Sequence, residues 1–450
     1  MSQLSEEIAS RSAGYLDDLK AFLSFPSISA EGRALEEASD FLMGKLRSLG
    51  FNVSKARVDG APPLVIADLK GRSDYTLVFY NHYDVQPVDP ISEWRTDPFS
   101  PTVSEGRLFA RGVADDKGDL MARVHAVETL LARGEGPPIS VKFVVEGEEE
   151  EGSPHLKDYV EKYGSLMKGD VCLWEGFETS TDGRPQVFLG CKGLLYVELK
   201  LSTASADLHS MYGPIAVNPA WRLVWLMAKM KDESEKVLIP GFYDDVVPPT
   251  EEELEMLARN SYDVDALRRS LGVRSFLRAG PDLELLKDLY FQPTCNIAGF
   301  SSGYSGPGSK TIVPREATVK IDFRLVPSQD PAKVLARLKE HMLSLGYGDV
   351  QVKVFGEEAP AKVSPEAPEV RRLVEAAKES YGSEVNIWPT IPATGPMAIF
   401  VNELGLPSLM PPSVPYPGSS YHAPNEHIML SQYWKSVEFF SRAILKLAPP

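Results

Sequence analysis

The hydrophobic and polar positions of the chain follow two different periods, and the change between them falls near residue 193. Before that point, nearly continuous apolar runs at 64–69, 75–80 and 141–145 alternate with helical patterns such as 119–132. Continuous apolar runs are typical of strands that are covered on both faces. Strand–helix–strand alternation predicts an α/β domain built on a doubly wound, mostly parallel sheet.

From residue 193 onward, apolar residues occupy every second position in the stretches 195–201 and 317–325. This is the period of strands with only one buried face. Helical patterns lie between and after them, at 220–230 and 331–345. Strands and helices in this order predict a small antiparallel sheet with two helices on one face, which we interpret as an inserted α+β domain.

With 450 residues, the chain is long enough for two cores. We predict that residues 1–192 and 359–450 form one domain and that residues 193–358 form the inserted one. The charged excursion at 232–290 has a role that the sequence does not disclose.

Composition excludes several classes of function. The chain has 43% hydrophobic and 24% charged residues, as soluble globular proteins do, and 47 basic against 63 acidic residues give a net charge of −16. This charge disfavours nucleic acids and anionic membranes as partners. The acidic N-terminal segment and the lack of an apolar run near ~20 residues predict a cytoplasmic protein. The three cysteines are expected to be buried thiols, and His125 to be packed or at the surface.

Metal-type side chains follow several of the predicted strands. The candidates are His82, Asp115, Asp116, Glu149, Glu150, Glu175 and His422. In doubly wound sheets ligands bind beyond the carboxyl ends of the strands, where most of these residues fall. Each stretch has a simpler alternative when taken alone, such as a hydrogen-bonded histidine at a strand end or a solvated acidic loop.

Histidines and carboxylates without cysteine suit zinc, cobalt or manganese. Two such ions, ~3.5–4 Å apart and bridged by a carboxylate and a water, would polarise a carbonyl and lower the pKa of the water towards ~7. An unligated glutamate beside that water would complete an amide hydrolase.

Taken together and in order, these motifs resemble the di-zinc metallopeptidase family of carnosine-type dipeptidases, glutamate carboxypeptidase, succinyl-diaminopimelate desuccinylase and aminoacylase. The matching stretches are 81–87, 94–99, 111–118, 146–153 and 422–426. The resemblance implies that Asp115 is the bridging ligand. It implies that His82 and Glu175 bind one metal, and that Glu150 and His422 bind the other. It also implies that Glu149 is the general base and that Asp84 orients His82. The resemblance also implies a cis peptide bond between Asp115 and Asp116.

The inserted domain resembles the lid and dimerisation domain of the same family, which implies a homodimer. His209 is similar to a histidine that reaches the partner's active site and stabilises the oxyanion. Arg324 is similar to the arginine that binds the substrate carboxylate, and Asn296 and Gly395 lie in matching substrate loops. The alternative for Arg324 is a surface arginine on a strand.

Two departures leave the specificity open. Position 175 is glutamate, as in carboxypeptidases and deacylases of the family, where dipeptidases have aspartate. The stretch 394–396 lacks a serine of the carnosine dipeptidases. The sequence therefore predicts a di-metal hydrolase that cleaves short peptides near a free C-terminal carboxylate. An N-acyl amino acid deacylase is the alternative enzyme, and a binding protein that keeps the fold is the alternative without activity.

Overall fold

The computed structural model describes residues 3–134, 136–278 and 280–449, to which the following elements refer. The α-helices are α1 Gln3–Leu23, α2 Leu35–Ser48, α3 Lys117–Ala132, α4 Leu156–Met167, α5 Pro219–Met230, α6 Glu251–Arg259, α7 Val264–Ser270, α8 Asp282–Phe291, α9 Pro331–Ser344, α10 Pro368–Tyr381 and α11 Leu430–Lys446. The strands are β1 Asn52–Ala56, β2 Leu64–Leu69, β3 Thr76–His82, β4 Thr102–Ser104, β5 Arg107–Phe109, β6 Ser140–Glu146, β7 Val171–Leu173, β8 Gln186–Phe188, β9 Gly190–Cys191, β10 Gly193–Ser202, β11 Leu208–His209, β12 Asn296–Ser302, β13 Ile312–Val313, β14 Glu316–Leu325, β15 Gln351–Glu358, β16 Ala361–Lys362, β17 Asn386–Trp388, β18 Ser408–Leu409 and β19 His427–Met429.

The larger sheet has six strands in the order β1-β2-β6-β3-β7-β18. The pairs β6–β3, β3–β7 and β7–β18 are parallel, whereas β1–β2 and β2–β6 are antiparallel. Every residue of β6 is buried, as expected for a strand that is covered on both faces. The predicted α/β class with a mostly parallel sheet is confirmed, and the antiparallel pairs lie together at one side of the sheet.

Helices cover both faces of this sheet. On one face α3 packs against α1, α11 and β3, and it is buried along nearly its whole length. On the other face α4 contributes buried residues such as Leu156 and Tyr159 to a second core. The helices on both faces leave the carboxyl ends of the parallel strands as the place where a polar site can form.

The smaller sheet has the order β12-β14-β10-β15, and all of its pairs are antiparallel. β10 and β14 bury alternate residues against α5 and α9, so the prediction of two helices on one face is confirmed. Both helices start with a side-chain cap followed by proline, at Asn218 and Asp330. The domain boundaries at 192/193 and 358/359 remain a prediction.

The excursion at 232–290, whose role the sequence did not disclose, packs against β17. The Nδ2 atom of Asn260 donates to the carbonyl of Ile387 at 2.7 Å, and the rings of Tyr290 and Trp388 stack with centroids 5.0 Å apart. The excursion therefore contacts the two-stranded sheet of β17 and β8 through residues that are far apart in sequence.

Within the described ranges, the structure has no helix that is long and apolar enough to cross a membrane. Cys172, Cys191 and Cys295 are free and buried, as predicted. Burial raises the pKa of each thiol to about 12, which keeps these residues protonated and unreactive at neutral pH.

Candidate metal centre

The ends of three parallel strands bring the candidate ligands together. His82 is the last residue of β3, Glu149 and Glu150 follow β6, and Glu175 follows β7. Two further candidates, Asp115 before α3 and His422 before β19, come from loops at the same place. Residues that are up to 340 positions apart in sequence therefore meet at one edge of the sheet.

The two carboxylate oxygens of Asp115 face two different histidines. Its Oδ1 atom lies 3.1 Å from Nε2 of His82, and its Oδ2 atom lies 2.9 Å from Nε2 of His422. The same nitrogen of His422 is 3.2 Å from Oε2 of Glu150. A carboxylate in this position is able to bridge two cations, each of which would also be bound by an imidazole.

The donor atoms form two groups of three, and within each group the atoms lie within 4.8 Å of one another. The groups are His82, Glu149 and Glu175, and Asp115, Glu150 and His422. The Oε1 atom of Glu175 is buried and has no hydrogen-bond partner among the residues that the structure describes. Because a buried oxygen without a partner is costly, this atom fits a site that holds a cation. The donor set fits two divalent ions of the zinc, manganese or cobalt type.

A third group of donor atoms, formed by Asp18, His125 and Glu128, has a different explanation. The ammonium of Lys45 lies between its two carboxylates, 2.6 Å from Asp18 and 2.7 Å from Glu128. Its positive charge takes the place that a metal would have. His125 is buried and stacks on Tyr15 with ring centroids 4.2 Å apart, as predicted for a packed histidine.

The site concentrates negative charge. Burial raises the pKa values of Glu149 and Glu175 well above the usual range. Neighbouring carboxylates add to this effect by repulsion, chiefly Asp115 for Glu149 and Glu149 for Glu175. Burial lowers the pKa of His82, but its hydrogen bonds to Asp115 and Asp84 outweigh this effect and raise it well above the usual value. All three pKa values are therefore raised, but for different reasons. Burial disfavours the charged carboxylates, whereas the neighbouring carboxylates favour the charged imidazolium of His82.

Asp84 connects the histidine to the glutamate pair. Its Oδ1 atom lies 3.2 Å from Nδ1 of His82, so it is in place for the orienting role that the resemblance implied. Its two oxygens also accept the backbone N–H groups of Glu149 and Glu150, at 3.2 and 3.1 Å. One buried carboxylate therefore positions residues of both metal groups.

Glu426 performs a similar task for Asp115, and no role was predicted for it. This fully buried residue accepts the backbone N–H groups of Gly112, Ala114 and Asp115 at 2.8, 2.7 and 3.1 Å. It also pairs with Nη1 of Arg111 at 2.8 Å. Glu426 was part of the matching stretch 422–426, but that match does not identify a contact with the loop of Asp115.

The peptide bond between Asp115 and Asp116 is cis, as predicted. The Asp116 carboxylate accepts hydrogen bonds from Nδ2 of Asn81 at 2.7 Å and from the backbone N–H of His82 at 3.0 Å. The Asp116 carboxylate therefore contacts the end of β3, and Asp116 also lines the cavity described next.

A cavity of about 190 Å³ opens over the candidate ligands. Its lining includes Asp115, Glu149, Trp174, Glu175, Glu178, Thr394, Gly395, Tyr421 and His422. A Cβ atom at Gly395 would come within 2.6 Å of the Trp174 ring, so the wall at this point requires glycine. Arg324 borders the cavity indirectly, because its Nη1 donates to Oγ1 of Thr394 at 2.6 Å. No role was predicted for Glu178 or Tyr421, and Thr394 was noted only as part of the stretch 394–396.

Two predicted site residues lie elsewhere on the described part of this chain. His209 is exposed, and its Nδ1 accepts the backbone N–H of Met211 at 3.1 Å. Asn296 is exposed at the start of β12 and donates to Oδ1 of Asp322 at 2.8 Å. Neither residue lines the cavity of its own chain.

A doubly wound sheet with paired histidine and carboxylate groups at its strand ends defines a metal-dependent hydrolase, and the comparisons with known proteins identify its family. The chain belongs to peptidase family M20/M25/M40, whose model matches residues 78–446. It is thus a member of a metallopeptidase family, as the sequence predicted.

Named relatives are dipeptidases and a carboxypeptidase. The chain is 33% identical over 312 residues to the Beta-Ala-His dipeptidase of Rattus norvegicus, covering 66% of this chain and 63% of that protein. It is 31% identical over 362 residues to a Cys-Gly metallodipeptidase of Schizosaccharomyces pombe, covering 76% and 75%. An M20 family metallo-carboxypeptidase from Sulfolobus solfataricus has a similar structure, with a TM-score of 0.91, 41% identity and coverage of 96% and 98%. The chain spans less than two thirds of the length of the Beta-Ala-His dipeptidases that it matches.

Proposed function

We propose that this protein is a di-metal peptidase that hydrolyses dipeptides or short peptides next to a free C-terminal carboxylate. The observation that carries the proposal is the position of Asp115, whose two oxygens face His82 and His422. The names of the relatives support a peptidase and do not favour the alternative of an N-acyl amino acid deacylase. Activity and substrates are proposals for this chain.

In this proposal, Asp115, His82 and Glu175 would hold one ion, and Asp115, Glu150 and His422 would hold the other. When bound, such ions act as Lewis acids on the scissile carbonyl and lower the pKa of water. Zinc is the proposed metal, with manganese or cobalt as alternatives. A location in the cytoplasm also remains a prediction.

Glu149 is the proposed general base. Its carboxylate lines the cavity, and its Oε2 atom lies 4.0 Å from Nε2 of His82, in the middle of the candidate ligands. Oε2 would take a proton from the attacking water and pass it to the amine that leaves. Asp84 holds the backbone of Glu149 and so fixes the position from which the proton is moved.

Arg324 is the proposed binding group for the C-terminal carboxylate of the substrate. Its Nη1 already donates to Thr394 in the cavity wall, so the guanidinium is held beside the opening with other N–H groups available. A guanidinium binds a carboxylate with two parallel hydrogen bonds. Gly395, next to Thr394, keeps the wall close to Trp174 and would contact the substrate backbone.

We also propose a homodimer that forms through the inserted segment. Two tryptophans of α5, Trp221 and Trp225, are 56% and 53% exposed, and the edge strand β12 exposes Ile297 and Phe300 to 50% and 44%. Large apolar side chains and an unpaired strand edge are normally covered by a partner. A second copy of the chain would bury both features.

The dimer would give exposed His209 its function. Because its Nδ1 accepts a backbone N–H, the proton of the neutral ring is on Nε2, which is then free to donate. Nε2 would donate to the oxyanion that develops in the partner's active site. The position of His209 outside the cavity of its own chain supports a role across the dimer.

Metal content and substrate choice test the proposal together. We expect the purified protein to bind two ions per chain, and the zinc- or manganese-loaded protein to cleave Ala-Ala faster than N-acetyl-alanine. Glu150→Gln should retain only one ion, whereas Glu151→Gln, the exposed neighbour, should retain both. Faster cleavage of the acetylated compound, or two bound ions in both variants, would contradict the proposal.

A further inference from the structure

The wall of the cavity carries one carboxylate that the proposed ligands and base do not use. Glu178 lies three residues after Glu175, is half-buried, and lines the cavity beside Tyr421. Its side chain has no hydrogen bond or ion pair with any of the described residues. A half-buried carboxylate that faces a substrate cavity without a partner is available to bind a cation.

The backbone holds Glu178 in place. The N–H groups of Phe177 and Thr179, on either side of it, donate to carbonyl groups of the segment 411–415 at 2.9 and 3.3 Å. The Nε2 atom of Gln186 donates to the carbonyl of Glu178 itself at 3.0 Å. Because its main chain is fixed on both sides, the carboxylate is presented to the cavity at little further cost in conformational entropy.

The other carboxylates at the cavity already have roles or partners. Asp115, Glu150 and Glu175 are proposed ligands, Glu149 is the proposed base, and Asp116 accepts from Asn81 and His82. Glu178 lines the cavity and has no such role or partner among the described residues, so it is the group with which a cation on the substrate would pair. Burial raises the pKa of Glu178, and a cation beside it would oppose that shift.

We propose that Glu178 determines specificity by binding a positively charged nitrogen on the residue that precedes the scissile bond. The nitrogen is either the free α-amine of a dipeptide or the ammonium of a basic side chain. This inference rests on the proposed peptidase function, in which Arg324 binds the carboxylate at the other end of the substrate. Glu178 and Arg324 would then recognise the two charged ends of a short peptide.

Matched peptides distinguish the two sources of charge. Ala-Ala and N-acetyl-Ala-Ala differ only in the α-amine, and N-acetyl-Lys-Ala and N-acetyl-norleucyl-Ala differ only in the side-chain ammonium. The kcat/KM of each is measured for the metal-loaded wild type, for Glu178→Gln, and for the control Asp182→Asn. Asp182 is an exposed acid of the same loop that does not line the cavity.

Charge-assisted hydrogen bonds predict a wild-type preference of about ten-fold or more within one of the two pairs. Glu178→Gln should reduce that preference about ten-fold by weakening only the charged substrate, and Asp182→Asn should leave it unchanged. If Glu178→Gln loses the preference within the first pair, Glu178 binds the α-amine. If it loses the preference within the second pair, Glu178 binds the side-chain ammonium. An equal loss on all four peptides, or no loss, would overturn the inference.

Binding separates a failure of this inference from a failure of the proposed function. The Kd values of the same peptides are measured by calorimetry in the Glu149→Gln background, with and without Glu178→Gln. If the wild type cleaves no peptide, the proposed function is wrong, but the ratios of Kd values still decide the role of Glu178. If Glu178→Gln leaves the ratio of Kd values within each pair unchanged, or if no peptide binds, the proposed role of Glu178 is wrong.

Discussion

Replacement of Glu426 by glutamine tests whether buried support for Asp115 governs the metal centre. The Oε1 atom of Glu426 accepts from Ala114 and Asp115, and Oε2 accepts from Gly112 and Arg111. Glutamine keeps the shape but turns one oxygen into an NH₂ group. In either orientation, this NH₂ group faces two donors that have lost their acceptor.

The structure gives the magnitude of this loss. Each hydrogen bond to a charged group contributes ~1.5–3 kcal/mol, and a buried ion pair that loses one partner costs ~3–5 kcal/mol. These terms overlap, because Arg111 takes part in both and is itself only 1% exposed. We expect Glu426→Gln to lower the free energy of unfolding by about 3–5 kcal/mol.

The same substitution should weaken metal binding, because the N–H of Asp115 is one of the donors that Glu426 holds. Loss of a group that orients a metal ligand typically costs ~10–100-fold in affinity. Denaturant unfolding of the metal-free protein measures the first effect, and competition with a chelator measures the second. The exposed Glu366→Gln is the control. If both variants unfold at the same denaturant concentration and bind metal as the wild type does, the supporting role of Glu426 is refuted.

Three further predictions concern the base, the dimer and acid stability. Glu149→Gln should lower kcat by ~10²–10⁴-fold with two ions still bound, as measured by steady-state kinetics and metal analysis. Turnover within a few-fold of that of the Glu151→Gln control would be inconsistent with a general base. His209→Ala should lower kcat by ~10²–10³-fold without changing the sedimentation coefficient of the dimer, whereas normal turnover, or an active monomer, would exclude a role in the partner's site. Hydrogen bonds from Arg57, and then from Lys55, lower the pKa of Glu36 to about 2. The stability that the Glu36 carboxylate contributes is therefore complete above its unfolded pKa of ~4.5 and is lost as the pH falls towards 2. Because this carboxylate is about half exposed, solvent screening limits its contribution to ~0.5–1 kcal/mol. Between pH 5 and pH 2, the free energy of unfolding should therefore fall by ~0.5–1 kcal/mol less in Glu36→Gln than in the wild type.

Periodicity and motif order allowed much of the fold and site to be predicted from sequence. The continuous apolar run of β6 and the alternating pattern of β10 and β14 report which faces of a strand are buried, and these strands appeared where they were predicted. The candidate ligands, from His82 to His422, were found because each follows a strand or lies in a loop with a distinctive neighbourhood. The edge strand β12 was not predicted, because its residues are mostly exposed and do not alternate between buried and exposed positions.

The sequence by itself determined which segments form strands and helices and which side chains are able to bind metal. Only the tertiary structure decided that the two oxygens of Asp115 face His82 and His422 and that Glu426 holds the loop of Asp115. It also decided that Glu178 faces the cavity with no partner among the described residues. The physical reason is the range of the interactions. A strand or helix pattern depends on residues two to four positions apart, whereas Asp115 and Glu426 are 311 positions apart and meet only when the whole sheet is assembled.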